Sequence, residues 1–351
     1  MDSLTQQRNQ RQIANWLLIG VGMIIVQVLI GGITRLTESG LSITEWKPLT
    51  GALPPMSNTA WMAEFDKYKV TDQFKYVHPN FSLSEFKFIF FWEWFHRTWA
   101  RLMGLVFLFG FIYFLVTNKF NKRMIRPMVI LFLLGALQGF IGWIMVKSGL
   151  VPEKYFVGHI ELTTHFIAAL GLLCYTFWFA LNFLIKAKHQ AVNKFLHHFL
   201  LVILVVFTVQ LIYGGFMAGL RAAPVAPTWP DINGTMIPST MNEMQPFLKN
   251  IVSNTITVHF IHRTLAYLLL ILIAAWWIKA GAIKGNKLFD RLRNAFGLLV
   301  LVQVVLGICT VLNATYPNRL VWLGVSHQFT GMLLLMVLIS LLFIVPGKAA
   351  D

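Results

Sequence analysis

The chain has 351 residues, of which 57% are hydrophobic and 12% charged, and its formal net charge is +15. Soluble domains are roughly 45–50% apolar and about 25% charged, so the composition excludes an ordinary soluble globule and indicates an integral membrane protein. Because many lysines and arginines lie in short loops between apolar segments, membrane orientation explains the charge and no nucleic-acid partner is expected.

Eight apolar runs reach the roughly 20 residues that a helix needs to cross about 30 Å of hydrocarbon. In chain order they lie near 14–34, 87–116, 126–146, 157–185, 196–219, 253–279, 294–313 and 320–345. The first run is too long for a signal-peptide core and lacks a small-residue cleavage site, which predicts that it stays as the first span. The predicted fold class is an all-α integral membrane protein with eight transmembrane helices.

Basic residues concentrate in alternate loops. The loops at 118–126, 186–194 and 279–293 each carry several lysines or arginines, whereas the other loops mix signs. By the positive-inside rule these basic loops and both termini are predicted to be cytoplasmic. With no transit-peptide pattern, a bacterial inner membrane is expected. The long outer loops, 35–86 and 221–252, are rich in Gly, Pro and Trp, as expected of caps over a site.

The second half of the chain repeats the first. Matching positions are Gln27 and Gln210, His96 and His262, Gln138 and Gln303, and His165 and His327, with offsets of 183, 166, 165 and 162 residues. Because each repeat has four spans, an even number, both halves enter the membrane in the same orientation. This predicts two tandem four-helix bundles, residues 1–190 and 191–351, related by a pseudo-two-fold axis along the membrane normal.

Four histidines inside the apolar runs are candidate metal ligands. His96 and His262 are each followed by Arg-Thr, and His165 and His327 lie two spans further on. At about 1.5 Å of rise per residue all four lie roughly 10–15 Å below the outer surface. His96 can therefore face His165, and His262 can face His327. Two facing imidazoles suit haem iron, which predicts one haem site in each half.

These histidines have two alternative roles. A membrane histidine can serve only to hydrogen-bond a neighbouring helix, and zinc is a second alternative, although it needs a third and a fourth ligand. Recurrence of all four in register favours haem ligation. Cys174 and Cys309 both lie inside apolar runs, so they are expected to be inert buried thiols.

Glu93 lies three residues before His96 and therefore on nearly the same helix face. A carboxylate at this depth is costly, which makes Glu93 a catalytic candidate. The alternative is a structural salt bridge to Arg97, one turn further on. In the second repeat the same position is His259, for which a supporting role beside the ligand histidine is the alternative to simple packing.

Three further expectations concern polar neighbours. Arg97 and Arg263 directly follow the candidate ligands and are expected to pair with haem propionates. Glu161 lies one turn before His165 and is expected to orient that imidazole. His78 lies in the first outer loop and is expected to be solvated.

The first outer loop carries a distinctive motif. It reads GGITRLTESGLS at 31–42 and continues with EWKP at 45–48 and PP at 54–55. With the two His-Arg-Thr helices and the eight-span duplication, the chain resembles the heme A synthase family over nearly its whole length. The resemblance implies an enzyme that oxidises the C8 methyl of haem O to the formyl of haem A, by successive hydroxylations, for cytochrome oxidase assembly.

The resemblance also implies the division of the site. A haem b cofactor is expected between His262 and His327, and the substrate haem between His96 and His165, with Glu93 near the reacting edge. Expected partners are haem O, membrane lipid, an electron donor and the enzyme that makes haem O. The cysteine pairs that some members carry in the outer loops have no counterpart here, so a redox role for such a pair does not carry over.

Two functions from other classes are alternatives. The first is a dihaem b-type membrane cytochrome for electron transfer, which would stagger its haems between the two membrane faces. The second is a haem transporter or chaperone, which would bind the same pigment without changing it.

Overall fold

The computed structural model describes residues 3–45, 50–186 and 189–348, so Trp46, Lys47 and Pro48 of the loop motif lie outside the described residues. Eight of its helices are long and apolar enough to span a membrane. They are α1 (Ser3–Leu36), α2 (Leu83–Val116), α3 (Lys122–Gly149), α4 (His159–Leu184), α5 (Lys194–Gly219), α6 (Thr255–Ala280), α7 (Lys287–Leu312) and α8 (Pro317–Ile344). The predicted all-α, eight-span membrane fold is confirmed.

Helix ends extend beyond several of the apolar runs. α1 begins at Ser3 rather than near residue 14, because the intervening glutamines and arginines are good helix formers that continue the helix outside the hydrocarbon. α2 begins with a capping box, in which the Ser82 hydroxyl accepts from the Glu85 backbone while the Glu85 carboxylate accepts from the Ser82 backbone at 2.8 Å. Polar helix formers in α1 and a polar cap in α2, which hydropathy does not register, thus set these two boundaries.

Helices α1, α4, α5 and α8 form the centre of the molecule. α1 packs on α4 and α8, and α4 packs on α5. Around them, α2 packs on α1, α3 on α4, α6 on α5 and α7 on α8. One hydrophobic core contains residues of both halves, such as Leu173, Leu200 and Leu338, each 0% exposed. The division at residue 190 is therefore not a break in the core, and two separate bundles stay a prediction.

Corresponding residues of α1 and α5 touch each other at the outer ends of these helices. The Arg35 guanidinium donates to the carbonyl of Ala218, and Arg221 pairs with Glu38, both across a sequence separation of 183 residues. That separation is the offset between the two repeats in these helices. Such contacts are expected if a two-fold axis runs between α1 and α5; the symmetry of the full bundles stays a prediction.

The first outer loop packs on α2 and buries a histidine. Tyr68, Phe86 and Ile89 form a small core there. His78 is only 8% exposed, with Nδ1 2.7 Å from the Tyr68 hydroxyl and Nε2 3.1 Å from the Glu38 carboxylate. The expectation that His78 is solvated is therefore wrong, because the loop folds back over the end of α1. Burial also raises the pKa of the Tyr68 phenol above its ordinary value.

Candidate functional site

The predicted histidine pair of the second half faces across the bundle. The ring centres of His262 on α6 and His327 on α8 lie 6.5 Å apart, with their planes at 70°. A metal bound to one nitrogen of each ring at about 2 Å would hold the ring centres roughly 6 Å apart. The spacing therefore suits a metal ion held between the two imidazoles.

One cavity of about 1180 Å³ contains both predicted sites. All four histidines line it: His96 from α2, His165 from α4, and the pair of the second half. Glu93 lines the same cavity one turn from His96. The first-half pair and the second-half pair are therefore two ends of a single internal space.

Each histidine ring rests on a glutamine and a glycine one turn apart on a neighbouring helix. The sets are Gln27 and Gly31 with His96, Gln138 and Gly142 with His165, Gln210 and Gly214 with His262, and Gln303 and Gly307 with His327. The amide nitrogens lie 3.0, 3.2, 3.4 and 3.2 Å from a ring nitrogen, in that order. We call each set a Gln-Gly cradle.

The glycines of the cradles give the rings their space. A Cβ added at Gly31, Gly142, Gly214 or Gly307 would lie 3.1, 2.8, 3.5 or 3.0 Å from Cε1 of the histidine. Carbon atoms in contact are normally about 3.5–4.0 Å apart, so three of the four positions have no room for a methyl group. The sequence contains Gln-x-x-x-Gly four times, a pattern that marks the repeat but does not by itself indicate that it supports the histidines.

Buried polar atoms without partners test whether a haem fits. The side-chain oxygens of all four cradle glutamines and Nδ1 of both His262 and His327 are buried without a hydrogen-bond partner. Such atoms are costly unless something satisfies them. Among the described residues, no group of three or more His, Cys, Asp and Glu could hold an ion. The donor set therefore fits a metal whose remaining ligands come from a macrocycle, and it disfavours zinc.

Glu93 ties α2 to the first outer loop. The carboxylate is 2.6 Å from Arg97, accepts from the Ser42 hydroxyl at 2.7 Å, and accepts from the Ile43 backbone at 2.8 Å. Glu93 is only 3% exposed, and these three donors satisfy its charge. The salt bridge considered from the sequence is present, in a carboxylate that also lines the cavity beside His96.

The two arginines that follow the ligands hydrogen-bond to carbonyls of the outer loops. Arg97 donates to the carbonyls of Ile43 and Glu45, and Arg263 to those of Ala226, Thr228 and Asp231. They point about 100° away from the histidines on their helices, which turns them toward the outer loops. Their observed contacts fasten these loops over the site. Both arginines also line the cavity, and pairing with propionates stays a prediction.

Two other residues were predicted neighbours of the ligand histidines, Glu161 for His165 and His259 for His262. The observed partner of His165 is Gln138 rather than Glu161. His259 is 0% exposed and both of its ring nitrogens are without a partner, although it lines the same cavity. The second half thus has an imidazole ring where the first half has the carboxyl group of Glu93.

This fold and site define a class of protein: a multi-pass membrane protein in which four half-buried histidines line one cavity. The chain matches the family model COX15-CtaA, described as cytochrome oxidase assembly protein, over residues 14–339. It belongs to this family.

Three relatives show how close the similarity is. The chain is 37% identical to a heme A synthase of Flavobacterium psychrophilum over 93% of this chain and 96% of that protein. It is 39% identical to that of Rhodospirillum centenum, over 91% and 84% respectively. It is 42% identical to that of a Wolbachia from Culex pipiens, over 86% and 89%. The resemblance inferred from the outer-loop motif is confirmed.

Proposed function

We propose that this protein is a heme A synthase, an oxidoreductase that converts the C8 methyl of haem O into the formyl of haem A for cytochrome oxidase. The single observation that carries the proposal is the pair of histidine sites, each held by the same Gln-Gly cradles, in one cavity. An enzyme that acts on one haem with the help of another needs two such sites next to each other.

The two halves differ in the task that their residues suit. We assign a haem b cofactor to His262 and His327, because their spacing suits a bound metal and this half has the buried His259 where the first half has the carboxylate Glu93. We assign the substrate to His96 and His165, because the buried carboxylate Glu93 belongs to this end of the cavity alone. A site that transforms its ligand needs such a charged group, whereas a site that retains its ligand does not.

The side chains of the first half then act on the substrate as follows. His96 and His165 orient it, and their cradles hold the rings at a fixed height in the bundle. Glu93, held by three donors, accepts a proton or stabilises positive charge developing at the methyl carbon. Arg97 keeps the outer loop closed over this end and excludes water. When bound, haem b would supply one-electron chemistry to the site.

We assign the protein to a bacterial inner membrane with both termini cytoplasmic, because the basic loops alternate with mixed-charge ones along the eight spans. Haem O is the substrate, lipid surrounds the spans, and an electron donor and the enzyme that makes haem O are expected partners. Fusing a reporter that is active only in the cytoplasm to either terminus tests the orientation, and an inactive fusion contradicts it.

Haem extraction tests the function. Membranes that contain haem O and this protein should yield haem A, and membranes with haem O alone should not. A dihaem cytochrome or a haem transporter would bind pigment but leave haem O unchanged. Recovery of haem O without any formylated product, from protein that carries its haem, would contradict the proposal.

A further inference from the structure

The cavity reaches the protein surface between α2 and α3 of the first half. Gly104 on α2 and Gly135, Ala136 and Gly139 on α3 line the cavity, and all four are also exposed. An apolar pocket on the outer face of α3 meets the cavity at Ala136 and Gly139. The two helices therefore leave an opening toward the lipid, which we call the lateral slot.

The lateral slot is closed at one end and lies at a defined depth in the helix bundle. The rings of Phe107 on α2 and Phe132 on α3 stack across the two helices with centroids 6.2 Å apart, which closes the cytoplasmic end. Gln138, whose amide contacts His165 at 3.2 Å, lies in α3 between Ala136 and Gly139. The opening is therefore level with the histidine pair of the first half.

The second half has larger apolar side chains at the same positions. By the repeat offsets of the histidine and glutamine positions, Gly104, Gly135, Ala136 and Gly139 correspond to Leu270, Val300, Leu301 and Val304. Val300 is only 4% exposed, and α6 packs directly on α7. A Cβ added at Gly104, Gly135 or Gly139, by contrast, would meet nothing within 4 Å. The first half thus has small residues at several positions where the second half has leucine or valine.

We propose that the lateral slot holds the isoprenoid chain of haem O, and that it lets this substrate enter from the lipid. The inference rests on the proposed function, since it takes the first half as the substrate site. Haem O differs from haem b by a long apolar chain on the macrocycle. With the macrocycle between His96 and His165, that chain needs an apolar exit at the same height, and the slot supplies one.

The filled second half then explains the sorting of the two pigments. Leu270, Val300 and Val304 occupy the space through which a chain would leave, so this half accepts only a tetrapyrrole without one. The cradles are the same in both halves, so ligation alone cannot distinguish haem b from haem O. Steric filling is the feature that separates them.

The test exchanges first-half residues for their second-half counterparts. The variant Gly135→Val/Gly139→Val fills the slot, and both added side chains enter open space. Gly22→Val is the matched control, because Gly22 on α1 also has nothing within 4 Å, does not line the cavity, and corresponds to a valine, Val205. The full-length purified proteins are analysed for haem b content and titrated by absorbance with haem O and with haem b.

The double variant should keep its haem b and its binding of added haem b, while its affinity for haem O falls about tenfold or more. The control should match the wild type in haem b content, in binding of added haem b and in affinity for haem O. Two results would overturn the proposal that the lateral slot holds the isoprenoid chain. One is an unchanged haem O affinity in the double variant, and the other is a wild-type first half that binds haem O no better than haem b. If the double variant also loses haem b, the single variants Gly135→Val and Gly139→Val are judged by the same criteria. Tight haem O binding without formation of haem A would refute the proposed function and leave the slot standing.

Discussion

A methyl group at Gly307 should weaken haem binding in the second half, whereas the same methyl group at Gly214 should be tolerated. The Cβ of Gly307→Ala would lie 3.0 Å from Cε1 of His327, and that of Gly214→Ala would lie 3.5 Å from Cε1 of His262. Contacting carbons are about 3.5–4.0 Å apart, so His327 must move by a few tenths of an ångström, whereas His262 need not move.

The size of the effect follows from the packing around His327. Its helix α8 is the most buried of the eight, and Leu334, Leu335 and Leu338 are each at most 4% exposed, so the helix cannot shift freely away from α7. The ring itself can yield only into the cavity, which takes it out of the position in which it faces His262. Overpacking of this kind costs about 1–3 kcal/mol, and about 1.4 kcal/mol corresponds to tenfold in affinity. We therefore expect haem b to bind roughly 5- to 150-fold more weakly to Gly307→Ala.

The assay is absorbance titration of the purified apoprotein with haem b, together with the low-spin spectrum of the complex. Gly214→Ala is the matched control, because it adds the same atom beside the other ligand of the same site. Wild-type affinity in Gly307→Ala would refute the steric reasoning. An equal loss of haem b affinity in both variants would also refute it, because the loss would then reflect a general effect of alanine on these helices.

Three further predictions concern other groups. Glu93→Gln should slow conversion of haem O about a hundredfold with haem b content unchanged, measured by pigment extraction. His327→Ala should abolish the low-spin b-type spectrum of the purified protein, because one of the two ligands is lost. Burial alone would raise the pKa of Glu38, but the hydrogen bond from His78 and the charge of Arg221 outweigh it and lower the pKa below its ordinary 4.5. The stability that Glu38 contributes is therefore present above pH 4.5 and lost as the pH falls through the lowered pKa, so in thermal unfolding Glu38→Gln should be less stable at neutral pH and should lose less on acidification.

Each of these three predictions would be contradicted by a specific result. Normal haem A production by Glu93→Gln would leave this carboxylate a structural tie of the outer loop. A normal low-spin spectrum in His327→Ala would remove the haem assignment of the second half. Parallel pH profiles for Glu38→Gln and wild type would show that the ion pair does not contribute to stability.

The parts of the structure that depend on local patterns were predictable from the sequence. Long apolar runs predicted the spans, and the regular offsets between the repeats predicted from the sequence alone that His262 pairs with His327. Parts that depend on how the outer loops fold were not predictable. Arg97 meets the carbonyls of Ile43 and Glu45, and His78 is buried, only because the first outer loop returns across the end of α1. No periodic pattern in the sequence indicates that the loop folds back across the end of α1.

The contact between Glu38 and Arg221 bears on how the two repeats came to differ. In a symmetric dimer of identical chains, a residue on the two-fold axis meets its own copy, so a glutamate there would face a glutamate and an arginine an arginine. If the predicted two-fold axis passes through this place, the first repeat paired with itself would bring two glutamates together. The present protein instead has an arginine, Arg221, opposite Glu38, so the difference between the two repeats replaces a repulsion with an attraction.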